Sequence, residues 1–196
     1  MILPIVAYGS PVLKKKAVDI PADFEELDTL IANMWETMYA ASGVGLAAPQ
    51  VGRSLRLFVI DASPFAEDDK LEEAEQQHLK DFKKVFINAK IDEESGEEWA
   101  FTEGCLSIPD VREEVKRKET VVITYQNEQG NQLTETYHGL AARVIQHEYD
   151  HIEGLLFTDK LSPLKKRLIK GKLTSISKGK ITPDYKMKFP LQSKKR

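Results

Sequence analysis

The residues most suited to chemistry lie at positions 146–151, which read Q-H-E-Y-D-H and contain the pattern H-E-x-x-H. On a helix, residues four apart lie one turn above each other on the same face, so His147 and His151 can bind one metal ion together. Glu148 would lie beside that ion, where a glutamate can take a proton from bound water and pass it to a leaving group. Because such a short pattern also occurs by chance, its surroundings must support it.

The residues around this motif are largely apolar, and they predict a buried helix over 139–153 that Gly154 closes. Buried imidazoles need polar partners, which a metal ion would supply. The alternative is that both histidines are core residues bonded to the backbone and that Glu148 is ion-paired.

A third metal ligand is not evident downstream, because no histidine follows His151. Upstream, His138 would lie on the opposite face of an extended helix, and His78 lies in a strongly acidic stretch. Cys105, the single cysteine of the chain, remains as a candidate. A thiolate is a strong ligand for zinc or ferrous iron.

Length and composition are typical of one soluble domain. The chain has 196 residues, of which 41% are hydrophobic and 30% are charged, enough for a substantial core. One cysteine excludes an internal disulfide and is typical of a reducing compartment. We find no signal peptide and no membrane-spanning stretch, so we expect a cytoplasmic location.

Charge is distributed unevenly along the chain. Residues 160–196 contain thirteen lysines and arginines and one acidic residue, Asp184, whereas the remainder carries 15 basic and 30 acidic residues. A basic segment on an acidic body favours an anionic partner such as nucleic acid. The alternative is a solvated helix followed by a disordered tail.

Periodicity predicts an α+β fold. An amphipathic helix begins near Phe24, with Asp23 as N-cap and Glu26 in a capping-box position. Strands are predicted at 55–61 and 84–91, an extended segment at 99–102, and a hairpin from 119–126 and 131–137. The acidic stretch 62–80 predicts an exposed loop or short surface helix, and 163–170 predicts a basic helix. We expect a single domain whose H-E-x-x-H helix packs among antiparallel β-sheets.

The segment 43–50 is rich in small residues, including Gly43, Gly45, Ala47 and Ala48. Backbone can approach a ligand closely at such positions, and Gln50 adds an amide donor. It is not a phosphate loop, because the characteristic lysine is missing. The alternative is a tight connection between a helix and a strand.

Three segments together resemble the motifs of bacterial peptide deformylases. They are G-x-G-x-A-A-x-Q at 43–50, E-G-C-L-S at 103–107 and Q-H-E-x-x-H at 146–151, in the order and rough spacing of that family. The resemblance extends over about residues 1–170, and it leaves 171–196 as a basic, partly ordered tail. It implies a hydrolase that removes the formyl group from N-formylmethionine of new proteins.

The resemblance also implies roles for individual residues. Cys105, His147 and His151 would bind one divalent ion, natively Fe²⁺, with zinc, nickel or cobalt possible in purified protein. Glu148 would be the general acid and base for attack by metal-bound hydroxide. The oxyanion would be bound by two groups, the Gln50 side chain and the Leu106 N–H.

Substrate contacts follow from the same resemblance. Seven residues are implicated: backbone at Gly45 and Gly104, a methionine pocket of Val44, Leu140 and Val144, and a pocket rim of Arg112 and Arg143. For both arginines the alternative is a structural ion pair. The substrate class also implies that the basic C-terminal segment docks on the ribosome.

Two other functions remain open at this point. An H-E-x-x-H metallopeptidase acting on peptide N-termini would share the histidines, although Cys105 and the missing downstream ligand count against it. A ribosome-associated binding protein with a vestigial site would bind no metal tightly.

Overall fold

A five-stranded antiparallel sheet, whose neighbouring strands follow one another along the chain, forms the centre of the protein. The computed structural model describes residues 1–191. The sheet strands are β2 (Gly45–Ala47), β3 (Leu57–Asp61), β4 (Lys83–Cys105), β5 (Ile108–Gln126) and β6 (Gln132–His138). The two remaining strands, β1 (Ile5–Val6) and β7 (Met187–Lys188), pair in parallel.

In the described part of the chain, four α-helices accompany the sheets: α1 (Leu27–Ala40), α2 (Glu73–Lys80), α3 (Gly139–Ile152) and α4 (Pro163–Ser177). Short 3₁₀ segments lie at Pro11–Lys14, Ala48–Val51, Ser63–Glu67 and Phe157–Lys160. Within residues 1–191, every helix is too short or too polar to span a lipid bilayer. The predicted α+β class with an antiparallel sheet is confirmed.

The alternation of side chains along β3 places one helix on each face of the sheet. Leu57 and Val59 belong to the core that contains α1, whereas Phe58 and Ile60 belong to the core that contains α3. All four side chains are fully buried, and each stabilises the fold by roughly 1.5–3 kcal/mol. The sheet therefore separates α1 from α3 and gives α3 a rigid base.

Helix α3 is the most deeply buried helix of this arrangement, with eleven of its fourteen residues buried. It begins at Gly139 and ends at Ile152, one residue before the predicted end. Gly139 and Gly154 adopt φ angles of 56° and 76°, a left-handed region that glycine enters without strain. The two glycines thus turn the chain sharply into and out of α3.

Strands β4 and β5 form one long hairpin, which the sequence predicted only as separate segments. Four register shifts interrupt the pairing, and each such bulge bends and twists a strand. At one of them Asn88 adopts a φ of 53°, and its side chain bonds both the N–H and the C=O of Ile20. The bent hairpin reaches from the sheet centre to the end of α3.

Two predicted helix limits are wrong. Helix α1 begins at Leu27, after two turns, and neither Asp23 nor Glu26 caps it with a side chain. Helix α4 does not end near residue 170 but continues to Ser177, so the predicted domain boundary falls inside a helix. It continues because residues beyond 170, including Leu173 and Ile176, pack in the core with β5. Of the predicted tail, residues 192–196 lie outside the described part of the chain.

Candidate active site

The three predicted metal ligands meet at the contact between β4 and α3. Ligand atoms of Cys105, His147 and His151 all lie within 4.8 Å of one another. Cys105 Sγ is 3.3 Å from His151 Nε2. Cys105 is the last residue of β4, and the histidines are one turn apart on α3, so the hairpin and the helix together assemble the group. One thiolate and two imidazoles suit a zinc or ferrous ion.

Glu103 orients the first of these histidines. Its Oε2 lies 2.9 Å from His147 Nδ1. A carboxylate only accepts, so Nδ1 donates the proton and Nε2 keeps the free lone pair that a metal ion needs. Burial lowers the pKa of His151 well below its ordinary value, which keeps that imidazole neutral and able to ligate.

A buried ion-pair network surrounds Glu103. Arg117 donates to both carboxylate oxygens of Glu103, at 2.7 and 2.9 Å, and to Asp150 at 2.7 Å. Arg143 donates to the same Glu103 at 3.2 Å. Burial alone would raise the pKa of Glu103, but Arg117 and His147 hold that pKa well below its ordinary range. Glu103 is therefore ionised and fixed beneath the metal-binding group.

Glu148 is almost completely buried beside the ligands. Its Oε2 has no hydrogen-bond partner among residues 1–191, an unusual state for a buried carboxyl oxygen. Burial raises the pKa of Glu148 to about 7. The carboxyl group also lies against Gly45, where a Cβ would come within 2.3 Å of Oε1. A glycine at position 45 is therefore required to admit this side chain.

Gln50 extends from the 3₁₀ segment after β2 toward the same group. Its Oε1 accepts from the Ala47 N–H at 2.8 Å, which fixes the amide orientation. Its Nε2 then lies 3.5 Å from Cys105 Sγ and 3.4 Å from Ser107 Oγ. The amide N–H groups thus face the metal-binding group.

A cavity of about 490 Å³ opens above these residues. Most predicted substrate residues line it: Val44, Gly45, Gly104, Arg112, Arg143 and Val144. The backbone turn at Leu106 and the side chains of Gln50 and Glu148 also line it. The cavity thus brings the predicted catalytic residues and the predicted pocket into one space.

Two predicted positions differ from this arrangement. Leu140 is buried in the core and is not among the cavity-lining residues, because it lies at the start of α3 beside α2. Arg143 is not at an exposed rim but 2% exposed in the cavity wall, where it bonds Glu103 and the Trp99 and Val115 carbonyls. These contacts of Arg143 agree with the alternative prediction for this residue, a structural ion pair. Arg112 is exposed and does lie at the cavity mouth.

Sequence reasoning missed several residues of the site. Arg117 lies in a strand whose charges carried no signal of burial, and Asp150 and Glu103 were noted only as parts of motifs. Tyr185, from the segment before β7, also lines the cavity and donates to the Leu106 carbonyl at 2.8 Å. Its tail position gave no indication of this contact.

A helical H-E-x-x-H motif with a third ligand from a neighbouring strand is the arrangement of a metal-dependent hydrolase. The family model described as polypeptide deformylase matches residues 2–167. The chain belongs to this family, and it is a hydrolase of that kind.

Individual relatives agree over the whole chain. The chain is 66% identical to a peptide deformylase of Christiangramia forsetii and 61% identical to one of Flavobacterium johnsoniae, each over 100% of both chains. A solved peptide deformylase from Legionella pneumophila is 39% identical, covers 92% of this chain and 98% of its own, and superposes with a TM-score of 0.76. These similarities favour the deformylase over the metallopeptidase alternative.

Proposed function

We propose that this deformylase removes the formyl group from N-formylmethionine at the start of newly made proteins in the cytoplasm. Cys105, His147 and His151 would hold one divalent ion, and Glu148 would transfer the protons. The observation that supports this assignment is that the three ligands converge at one cavity with a buried carboxyl oxygen for which residues 1–191 offer no hydrogen-bond partner. The geometry alone suits several hydrolyses, and family membership selects formamide as the substrate.

The bound ion would lower the pKa of a coordinated water to about 7 and so supply the nucleophile at neutral pH. Glu148, whose Oε2 has no hydrogen-bond partner among residues 1–191, would accept a proton from the attacking water and deliver it to the departing amine. Because Glu148 is almost completely buried, bulk water does not compete for its carboxyl group, and the electrostatic interactions of that group are stronger than in water. We propose Fe²⁺ as the native ion because the family resemblance implies it; the thiolate and two imidazoles suit ferrous iron as well as zinc.

Attack on the formyl carbon creates an oxyanion, for which the site offers two donors. The Gln50 amide has its Oε1 fixed by the Ala47 N–H, which directs its Nε2 donor toward Cys105 and Ser107 beside the metal-binding group. The Leu106 N–H comes from the turn after Cys105. A preorganised donor of this kind contributes about 3 kcal/mol to transition-state stabilisation.

The cavity walls offer a place for the methionine side chain and the following peptide. Val44 and Val144 supply apolar surface, while Gly45 and Gly104 leave backbone accessible. Arg112 at the mouth can meet an acidic or carbonyl group of the substrate. We assign Arg143 to the wall and not to direct recognition, because its guanidinium is already bonded to Glu103 and two carbonyls.

The assignment is tested by formate release from a formyl-Met peptide under anaerobic conditions, using iron-loaded full-length protein. We expect release from the wild type and none from Cys105→Ala. The same peptide with a free amine serves as the matched substrate and should stay intact. Cleavage of the free-amine peptide without formate release would instead identify a metallopeptidase.

The basic C-terminal segment has a separate proposed role in docking on ribosomal RNA. On α4, Arg167, Lys170 and Lys172 are exposed, and two leucines of the same helix, Leu164 and Leu168, are exposed as well. Clustered exposed cations bind phosphates by releasing counterions, so this binding should weaken steeply with salt. The opposite face of α4 is buried against the body of the protein, which fixes the orientation of the charges.

Point variants test docking without disturbing the fold. Replacing Arg167, Lys170 and Lys172 together by Gln should weaken ribosome binding and reduce the slope of log affinity against log salt by about 2 to 3. A matched variant with Lys15, Lys70 and Lys80 replaced by Gln removes the same charge from other exposed positions. Equal losses in both variants would contradict a specific role for α4.

A further inference from the structure

The two-residue turn Leu106–Ser107 joins β4 to β5 at the metal-binding group. It directly follows Cys105, and its first N–H is the proposed oxyanion donor. The position of this turn therefore determines where both the Cys105 ligand atom and the Leu106 N–H donor lie. Donors and ligands must be held within a fraction of an ångström to act in the transition state.

Terminal segments hold both carbonyl groups of this turn. The Tyr185 hydroxyl donates to the Leu106 carbonyl at 2.8 Å. The Tyr8 N–H donates to the Ser107 carbonyl, also at 2.8 Å. One bond comes from the segment just before β7, and the other comes from the segment just after β1.

The two terminal segments are also bonded to each other. The Ile5 N–H donates to the Lys186 carbonyl and the Ala7 N–H to the Lys188 carbonyl, both at 2.9 Å. In the parallel pair β1–β7, Ile5 is opposite Met187. Tyr8 and Tyr185 therefore belong to one connected clamp around the turn and do not move independently.

Tyr185 also differs from an ordinary anchoring residue in its location. It is half-buried, packs against the core that contains α1, and is one of the residues that line the 490 Å³ cavity. The ring supplies this packing, whereas the hydroxyl is the part that bonds Leu106. The two contributions can be separated by removing the hydroxyl alone.

We propose that Tyr185 is a positioning residue for the deformylase reaction, acting through the Leu106 carbonyl to aim the oxyanion donor. The proposal rests on the role given above to the Leu106 N–H. It extends the active site to the C-terminal segment, which thereby has a part in catalysis besides any part in docking.

The test uses Tyr185→Phe in the full-length, metal-loaded protein. We expect kcat for a formyl-Met peptide to fall roughly tenfold while KM stays within about twofold, because a misplaced donor loses transition-state contact without losing substrate contact. Metal content should equal that of the wild type. Tyr39→Phe is the matched control, since Tyr39 lies on α1 and its hydroxyl bonds Asp61 at 2.6 Å. It should leave both constants unchanged.

Three results would count against the proposal or its basis. Wild-type kcat and KM in Tyr185→Phe, with at most the loss of thermal stability seen in Tyr39→Phe, would overturn the positioning role. A raised KM with unchanged kcat would also overturn it and make Tyr185 a substrate contact. Absence of formate release from the wild type would contradict the proposed function itself, before any variant is compared.

Discussion

The Glu148 carboxyl group and the backbone of Gly45 are in direct contact, so that a Cβ on residue 45 would lie 2.3 Å from Oε1. Gly45 belongs to edge strand β2, and Glu148 belongs to α3. The backbone of Gly45 does not adopt a left-handed φ, so its conformation does not require glycine. Glycine is required there because a side chain would collide with Glu148. The edge strand thus sets the position of the proposed general acid and base.

Gly45→Ala should therefore reduce activity without unfolding the protein. The added methyl group must displace the Glu148 carboxyl, and a misplacement approaching 1 Å costs about 100-fold in rate. Gly171→Ala on α4 is the control, since a Cβ there meets nothing within 4 Å. The control should keep full activity and gain up to about 1 kcal/mol of stability. Unchanged kcat in Gly45→Ala would show that Glu148 is not confined as described.

His151→Ala should lower the bound-metal content by more than about tenfold, because one of three protein ligands is removed. His138→Ala is a matched histidine variant, since His138 lies outside the ligand group and is next to Thr120 Oγ1 at 2.9 Å. Metal per chain can be measured by elemental analysis after dialysis. Equal metal content in the two variants would contradict the ligand assignment.

Gln50→Glu tests the donor role of the Gln50 amide nitrogen separately from the acceptor role of its oxygen. The new carboxylate can still accept from the Ala47 N–H, but it loses the Nε2 donor that faces Cys105. We expect kcat to fall about 100- to 1,000-fold with little change in KM. Metal content must be measured alongside, so that an activity loss is attributed to the donor only where the ion remains. Full activity would remove Gln50 from the oxyanion site.

Arg117→Met should destabilise the protein by about 3–5 kcal/mol, because it leaves the buried carboxylates of Glu103 and Asp150 without their main partner. Arg167→Met, on the exposed face of α4, should change stability by at most about 0.5 kcal/mol. Urea unfolding of the metal-loaded variants gives both values. Similar small effects in the two would show that the buried network is dispensable for stability.

Glu135→Gln should reveal a pH-dependent contribution to stability. Burial would raise the pKa of Glu135, but hydrogen bonds from Tyr125, Tyr137 and Lys84 outweigh burial and lower it. Because the pKa of Glu135 is lower in the folded state, its ionised carboxylate stabilises the fold at pH values above the ordinary pKa of 4.5. This contribution disappears as the pH falls through the folded-state pKa. Near neutral pH, the free energy of unfolding of the wild type should exceed that of the variant by about 1 kcal/mol. The difference is no larger because solvent screens this partly exposed carboxylate. A difference that grows toward low pH would contradict this sign.

Much of the site could be predicted from the sequence, because its ligands lie in short segments with regular geometry. A spacing of four on α3 places His147 and His151 on one face in any helix, and Cys105 is the chain's single thiol. Their meeting depends on the hairpin of β4 and β5, which the sequence did not predict in full. Residues 92–98 are almost entirely polar, so no alternation of apolar residues marks the middle of β4.

The remaining features depend on contacts between distant parts of the chain. Arg117 looks like any surface residue of a charged strand, but the pairing of β4 with β5 brings it to Glu103, and the packing of α3 on β5 brings it to Asp150. Leu140 fits an apolar pocket by type, but its place on the helix turns it into the core. Neither outcome follows from local periodicity, which specifies a face of an element but not its neighbour.

The parallel pairing of β1 with β7 also affects the order in which this protein can be completed. Residues 185–188, the partners of residues 5–8, are synthesised about 180 residues later in the chain. At the usual rates of about 5–20 residues per second, the first strand waits on the order of 10–40 s for its native neighbour. The turn after Cys105 acquires both of its clamping bonds only after that wait. Each copy of the enzyme must therefore be synthesised beyond residue 188 before its own catalytic turn is locked in place.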